Sequence, residues 1–518
     1  MLNRFFGTNF HTSFHLFGIS AFAVGLPTSK VILSLASMLL LLNLLLEADF
    51  KMYWKNIRSN PLLVVLFSFW SLHLIALLWT TDFSYAFNDV RIKVTLLLIP
   101  LILVAKPIQQ EQVLILPLGF FIASLFVTSS YNYACFNQWI GHHHYEDIRG
   151  LSLFGSHIRY GILIAMGAGI SLYYSNKNKG LLRLVFLSLY AWFSYYTYYS
   201  QIISGVVALF VVSISFIVLL LFQKSKRLGI SSLIFTALFT IISVVILFSG
   251  SPSEKFDSNY KTINSNTLTK SGNPYTPLYN ADGSINTKPI FVNVCEHELN
   301  QEWAKRSSYP IDGLDDRKQA IRFTILRYMT SKKLNKDSVG VSRLNKQDIR
   351  NIEHGIGSIQ ESGSGLLSRI DGIKFQLRHN ENPNGHSMLQ RVAFWKAGIE
   401  LIKRNWLFGV GTGDVQTAFN EEYERSHSLL VPENRLRAHN SYLTSWISFG
   451  VLGIALFLLM IFLYLKWQIT EQNLIGIMFI LVAMSTFLIE DTLETQMGVS
   501  FFAFFYGMFA VKKINSPS

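Results

Sequence analysis

The chain has 518 residues, of which 50% are hydrophobic and 15% charged, with a formal net charge of +13. A soluble protein of this length carries roughly a quarter of its residues as charges, so composition argues against a soluble globular enzyme. The positive balance would suit a nucleic-acid partner, but no nucleic-acid-binding motif is present, and basic loops on the cytoplasmic side of a membrane account for it. Two cysteines, Cys135 and Cys295, are too few for a disulfide scaffold.

The hydrophobicity is blocked rather than spread. Apolar segments of spanning length fall near 10–26, 29–46, 61–79, 92–105, 113–131, 157–175, 181–199, 201–222 and 229–249, then near 440–465, 472–490 and 496–511. A bilayer core takes about 20 helical residues, so the pattern reads as an all-α, polytopic membrane helix bundle of about twelve spans, 92–105 being short. The first segment is followed at once by a second, as for an uncleaved first span.

Lys and Arg collect on one side: Arg4, Lys51, Lys55, Arg58, Lys106, Lys177, Lys179, Arg183, Lys224, Lys226, Arg227, Lys466, Lys512 and Lys513. The positive-inside rule places these, and both termini, in the cytoplasm. The opposite connections lie outside. One is 132–156, with His142, His143 and His144; a second is a large, mostly helical loop between the ninth and tenth spans. The expected organisation is an N-terminal membrane bundle over 1–250, a periplasmic loop subdomain over 251–439 and C-terminal spans over 440–518. Helical patterns are expected near 317–332, 345–360, 365–380 and 388–405.

Chemistry-bearing residues gather where this loop meets the membrane. Arg391 precedes an amphipathic segment from Trp395 to Trp406; Arg435, Arg437, His439 and Asn440 stand just before the tenth span. Arginine forks suit phosphate oxygens, and a neutral histidine can take a proton from an attacking hydroxyl. The alternative has the arginines on anionic headgroups and His439 as a helix cap. His157 and Arg159 sit at the mouth of a span, where ionisable residues are functional candidates and snorkelling competes for Arg159. Glu490 and Asp491, with Glu494, cluster between the last two spans and could act as acid and base or orient arginines. Gly409, Gly411 and Gly413 read as a turn between helices, with an anion contact from their N–H groups as the lesser reading. Three consecutive histidines cannot all face one ion from a regular helix, so no metal site is assigned. Cys135 and Cys295 both fall outside, where a disulfide or plain apolar packing is open to them.

These residues resemble the O-antigen ligase and polymerase superfamily of bacterial envelope glycosyltransferases. The resemblance rests on Arg391 with Trp395, on Trp406-Leu407-Phe408-Gly409-Val410-Gly411, on His439-Asn440 with Leu443, and on Gly450 and Gly453. It implies a donor glycan on undecaprenyl diphosphate at the outer face of the bacterial inner membrane, no cofactor and no metal. It implies His439 as the base that deprotonates the acceptor hydroxyl, Arg391 as a diphosphate ligand and Arg159 as a second basic contact. One departure stands out: where many members have Ser-Arg, this chain has Ser200-Gln201. The function expected is ligation of the glycan to lipid A-core. Repeat-unit polymerisation and transfer to protein hydroxyls share the donor chemistry, and a lipid-linked glycan transporter is the reading from a different class. Transport would call for a repeated half-structure and ionisable groups at the bilayer midplane, and the charges here sit at one face.

Overall fold

In the computed structural model of the protein, residues 3–108, 111–141, 148–248, 268–276, 289–316, 319–359, 370, 374, 383–384 and 386–511 are described. Among them the regular structure is helical, with isolated β-bridges between single residues. The expected helix near 365–380, apart from residues 370 and 374, and the His142–His144 run lie outside these residues. The chain divides into two compact units. The first comprises Met1–Thr236, Trp395–Glu422 and Leu436–Ser518; the second comprises Ala237–Phe394 and Tyr423–Arg435.

In the first unit, short polar residues set the helix starts. Ser29, Asn60 and Asp82 leave the helical conformation and accept backbone N–H groups of the first turn, opening α2 (Lys30–Glu47), α4 (Pro61–Ile75) and α5 (Phe83–Ala105). They follow α1 (Asn3–Thr28) and the short amphipathic α3 (Phe50–Arg58), which the sequence reading did not separate from its basic loop. Then come α6 (Glu111–Phe136), α7 (His157–Lys177), α8 (Gly180–Tyr199), α9 (Ile203–Lys224) and α10 (Lys226–Phe248). Five segments are long and apolar enough to cross a membrane: Lys30–Glu47, Pro61–Leu78, Val113–Phe136, Ile203–Lys224 and Ser441–Thr470. The apolar stretch 92–105 is the second half of α5, a 23-residue helix. Asp89, Arg91 and Lys93 interrupt the apolar run without interrupting the helix, because Asp89 and Lys93 pair at i,i+4.

The core of this unit is apolar and aromatic, and α7 is its axis, with Tyr160 to Ser171 buried throughout. It packs on α8 and α9. Gly161 and Gly205 make the α7–α9 crossing: a Cβ on Gly161 would lie 3.2 Å from the Gly205 Cα, a close approach that only small residues permit.

The second unit holds a smaller core in which Trp303, Ile325, Leu326, Met329 and Ile352 are fully buried. Its helices are α11 (Glu296–Ala304), α12 (Ile321–Ser331), α13 (Ser338–Ser342) and α14 (Lys346–Glu353). The expected 317–332 and 345–360 helices appear as α12 and α14; α11 and α13 carry too little periodicity to read from sequence. Asp348 ties the core together. It closes a capping box with Asn345, accepts the Tyr328 hydroxyl at 2.8 Å and pairs with Lys332 at 2.6 Å. Lys336 lies wholly inside, its Nζ donating to the Val292 carbonyl at 2.9 Å, and burial pulls its ammonium down to about 7. Cys135 in the first unit and Cys295 in the second are buried and free, so the disulfide option falls away.

The remaining elements are α15 (Ser387–Arg404), α16 (Val415–Arg425), α17 (Ser441–Thr470), α18 (Leu474–Phe487) and α19 (Gln496–Phe509). α17 is broken at Gly450, whose φ of 64° and ψ of −155° are not helical. The glycine turn fills the break. Val410 N–H donates to the Ile447 carbonyl at 2.8 Å, Gly411 N–H to Ser448 at 3.0 Å, and Val451 N–H to Trp406 at 2.9 Å. On its other side the turn is fastened to the end of α4: Thr412 donates to the His73 carbonyl at 2.8 Å, and the Asp414 carboxylate accepts the N–H groups of Thr81 and Asp82. Gly409–Gly413 is thus a turn, as expected, and the N–H groups of Val410 and Gly411 that an anion would need are engaged by α17.

Candidate functional site

The segment leading into α17 begins at Arg437. Its Nη1 donates to Glu494 Oε2 at 2.9 Å, and its guanidinium lies 5.8 Å from the centre of the Tyr85 ring. Burial works against the Arg437 charge, and the carboxylates of Glu494 and Asp491 more than offset it, raising its proton affinity. Next, the Ala438 carbonyl accepts Trp395 Nε1 at 3.0 Å, tying this segment to α15.

His439 follows, at φ 46°. The left-handed region costs a non-glycine residue on the order of 1–3 kcal/mol and persists where surrounding contacts impose it. Asp491 imposes it here. Its Oδ2 accepts the His439 N–H at 3.2 Å, its Oδ1 accepts the Asn440 N–H at 3.1 Å, and Oδ1 also takes the Thr444 hydroxyl at 2.9 Å. The imidazole Nδ1 stands 3.8 Å from Glu490 Oε2, whose side chain is 5% exposed against 29% for His439. The ring is therefore the reachable member of the pair.

Asn440 caps α17. Its side chain accepts the Leu443 N–H at 3.0 Å and donates to the Leu488 carbonyl at 3.0 Å, so capping and the α17–α18 connection occupy its polar groups.

Arg159 lies in the first turn of α7, which His157 opens. It is within electrostatic reach of Glu490, Asp491 and Arg437, and its Nε has no hydrogen-bond partner among the described residues. The structure thus gathers Arg159, Arg437, His439, Asn440, Glu490 and Asp491 in the first unit. Arg391 and Arg435 belong to the second. Arg391 Nη1 donates to the Ser387 carbonyl at 3.4 Å; Arg435 donates to the Leu430 carbonyl at 3.2 Å and pairs with Glu424 at 3.4 Å.

Lys93 escaped the sequence reading of the site. From α5 it reaches Asp89 and Glu494, each at 2.8 Å, and all three side chains are under a tenth exposed. Burial raises the Glu494 carboxyl, but Lys93 and Arg437 overcome this and hold it below the usual carboxylate range. A lysine in an otherwise apolar run was the available signal. Beside it lies a narrow cavity of about 10 Å³, lined by Lys93, Glu494, His73, Ser441, Ser445 and Ser448, room for about one water. Among the described residues no group of His, Cys, Asp and Glu is arranged to hold a metal ion.

Residues 362–458 match the family described as O-antigen ligase. That stretch of the chain is similar to O-antigen ligases. The matched stretch takes in Arg391, the glycine turn, the extended segment from Arg435 to Asn440 and the Gly450 break, and it supports an O-antigen ligase-like glycan-transfer function. No curated protein matches the chain. Arg159 on α7, Lys93 on α5 and the 490–494 carboxylates lie outside the matched stretch in sequence and meet its His439 edge in the fold.

Proposed function

We propose that the protein moves a glycan from an undecaprenyl-diphosphate carrier onto an acceptor hydroxyl at the periplasmic face of a bacterial inner membrane, with lipid A-core as the acceptor. The observation that carries this reading is the convergence of Arg159, His439 and Glu490 at the edge of the stretch similar to O-antigen ligases. About twelve spans with both termini in the cytoplasm put that edge outside.

With Nδ1 turned to Glu490, Nε2 of His439 is the nitrogen that takes the acceptor's proton. The acceptor oxygen attacks the anomeric carbon as its O–H bond breaks. The bond from that carbon to the diphosphate breaks in turn, and undecaprenyl diphosphate leaves with the electron pair. Glu490 balances the positive charge gained by the ring. A diphosphate is already a good leaving group, so positioning and neutralisation are what remain for the protein to supply. Arg159, with an unpartnered Nε, supplies neutralisation without the coordination geometry a cation requires.

Gene deletion followed by surface-glycan analysis tests the reading. Lipid A-core without polymer is expected. Core carrying one repeat would move the assignment to polymerisation, unglycosylated protein would move it to protein glycosylation, and an unchanged surface would refute glycan transfer.

A further inference from the structure

Two arginines stand at the His439 edge, and their surroundings differ. Arg437 is committed: one Glu494 oxygen holds its guanidinium at 2.9 Å while the other holds Lys93 at 2.8 Å, and Lys93 is held in turn by Asp89. Asp89, Lys93, Glu494 and Arg437 form an alternating chain of two acids and two bases with no net charge. Arg159 faces Glu490 and Asp491 at longer range and keeps an unpartnered buried Nε. A bound diphosphate carries several negative charges, and a guanidinium already matched to a buried carboxylate has little left to offer it.

We propose that Glu494 is a positioning residue that withholds Arg437 from the donor, using it instead to fix the segment that presents His439, and leaves Arg159 as the arginine of this edge that meets the diphosphate. The inference rests on the lipid-diphosphate transfer reading and divides the labour within it. Arg437 lies two residues before His439, whose backbone is anchored independently by Asp491. Without the Glu494 anchor the segment is held only from Ala438 onward, and His439 loses its alignment with the acceptor. The cost falls on turnover rather than on donor affinity, because the anion-binding guanidinium is untouched. Removing the carboxylate charge also leaves Arg437 without its counter-ion, so an anionic ligand is held as well as before or more tightly.

The test pairs two readouts on the full-length protein in nanodiscs: affinity for undecaprenyl diphosphate itself, and glycan transfer in a deletion strain carrying the variant. Glu494→Gln keeps the shape of the side chain. It is expected to cut transfer tenfold or more while affinity for undecaprenyl diphosphate stays within twofold of wild type or rises. Arg437→Gln should behave alike, and Glu494→Asp should recover part of the transfer. A merely structural lesion would lower both readouts. A tenfold loss of affinity in Arg437→Gln, or wild-type transfer by Glu494→Gln, overturns the inference. Wild-type protein that does not bind undecaprenyl diphosphate, or Arg159→Ala that binds it normally, would instead overturn the underlying reading.

Discussion

Replacing Gly450 by alanine attacks the junction on which the candidate site is hung. The backbone there, φ 64° and ψ −155°, lies in territory that is essentially glycine-only, and imposing it on alanine costs on the order of 1–3 kcal/mol. The added methyl would also sit 2.0 Å from the Leu407 carbonyl oxygen, with the Leu407 carbon and the Phe408 nitrogen close behind. These are backbone atoms of the segment spliced into the break, so relief requires moving the turn. The bonds from Val410 to Ile447, Gly411 to Ser448 and Val451 to Trp406 then go with it, at roughly 1 kcal/mol each. The total is about 4–6 kcal/mol. The assay is denaturant unfolding of purified protein in detergent micelles, with Gly119→Ala as control. A Cβ on Gly119 meets nothing within 4 Å inside α6, and alanine there should gain roughly 0.5–1 kcal/mol from helix propensity. If Gly450→Ala unfolds within about 1 kcal/mol of wild type, the splice is not what holds the break open.

His439→Ala should abolish glycan transfer while the protein still inserts and accumulates in the membrane, measured by surface-glycan blot and membrane fractionation; normal transfer would sink the base assignment. Arg391→Lys keeps the charge but loses the fork that the family resemblance sets on the diphosphate. Transfer should drop tenfold or more, and a fully active lysine variant would reduce Arg391 to a headgroup contact. Burial of Lys336 sets a pH dependence on the second unit. The folded-state value of about 7 lies below the unfolded 10.5, so the unfolded chain binds the extra proton between those values. Stability therefore rises with pH across that window, by about 2 kcal/mol from pH 7 to 9. Unfolding of wild type and Lys336→Met at both pH values checks this: the methionine variant should lack the rise, and equal slopes would contradict the burial argument.

Hydropathy was enough to read most helices of the first unit, because a bilayer-length apolar run and its capping residue are local signals. Asn60 before Pro61 and Asn440 before Ser441 announce helix starts within a few residues. The His439–Asn440 motif pointed to this edge for the same reason. What could not be read was tertiary. Nothing local tells that Glu494 reaches back to Lys93, or that Asp491 shapes the backbone at His439. α5 was cut short at residue 92 because an i,i+4 acid–base pair looks like polar loop until the pairing is seen. The glycines were legible as a turn, but not as a turn that completes another helix's hydrogen bonds.

The pairing inside α5 bears on how the chain enters its membrane. Glu494 is synthesised roughly four hundred residues after Lys93, long after α5 has left the ribosome. A lone lysine carried on an apolar helix would be costly to bury. Asp89, one turn earlier on the same helix, offers Lys93 an escort that travels with it. α5 can therefore be delivered with Lys93 already paired and wait, and Glu494 recruits the waiting lysine when the segment that carries it arrives. Reversing the two residues would preserve composition and hydropathy, yet would leave the late-arriving carboxylate facing another carboxylate.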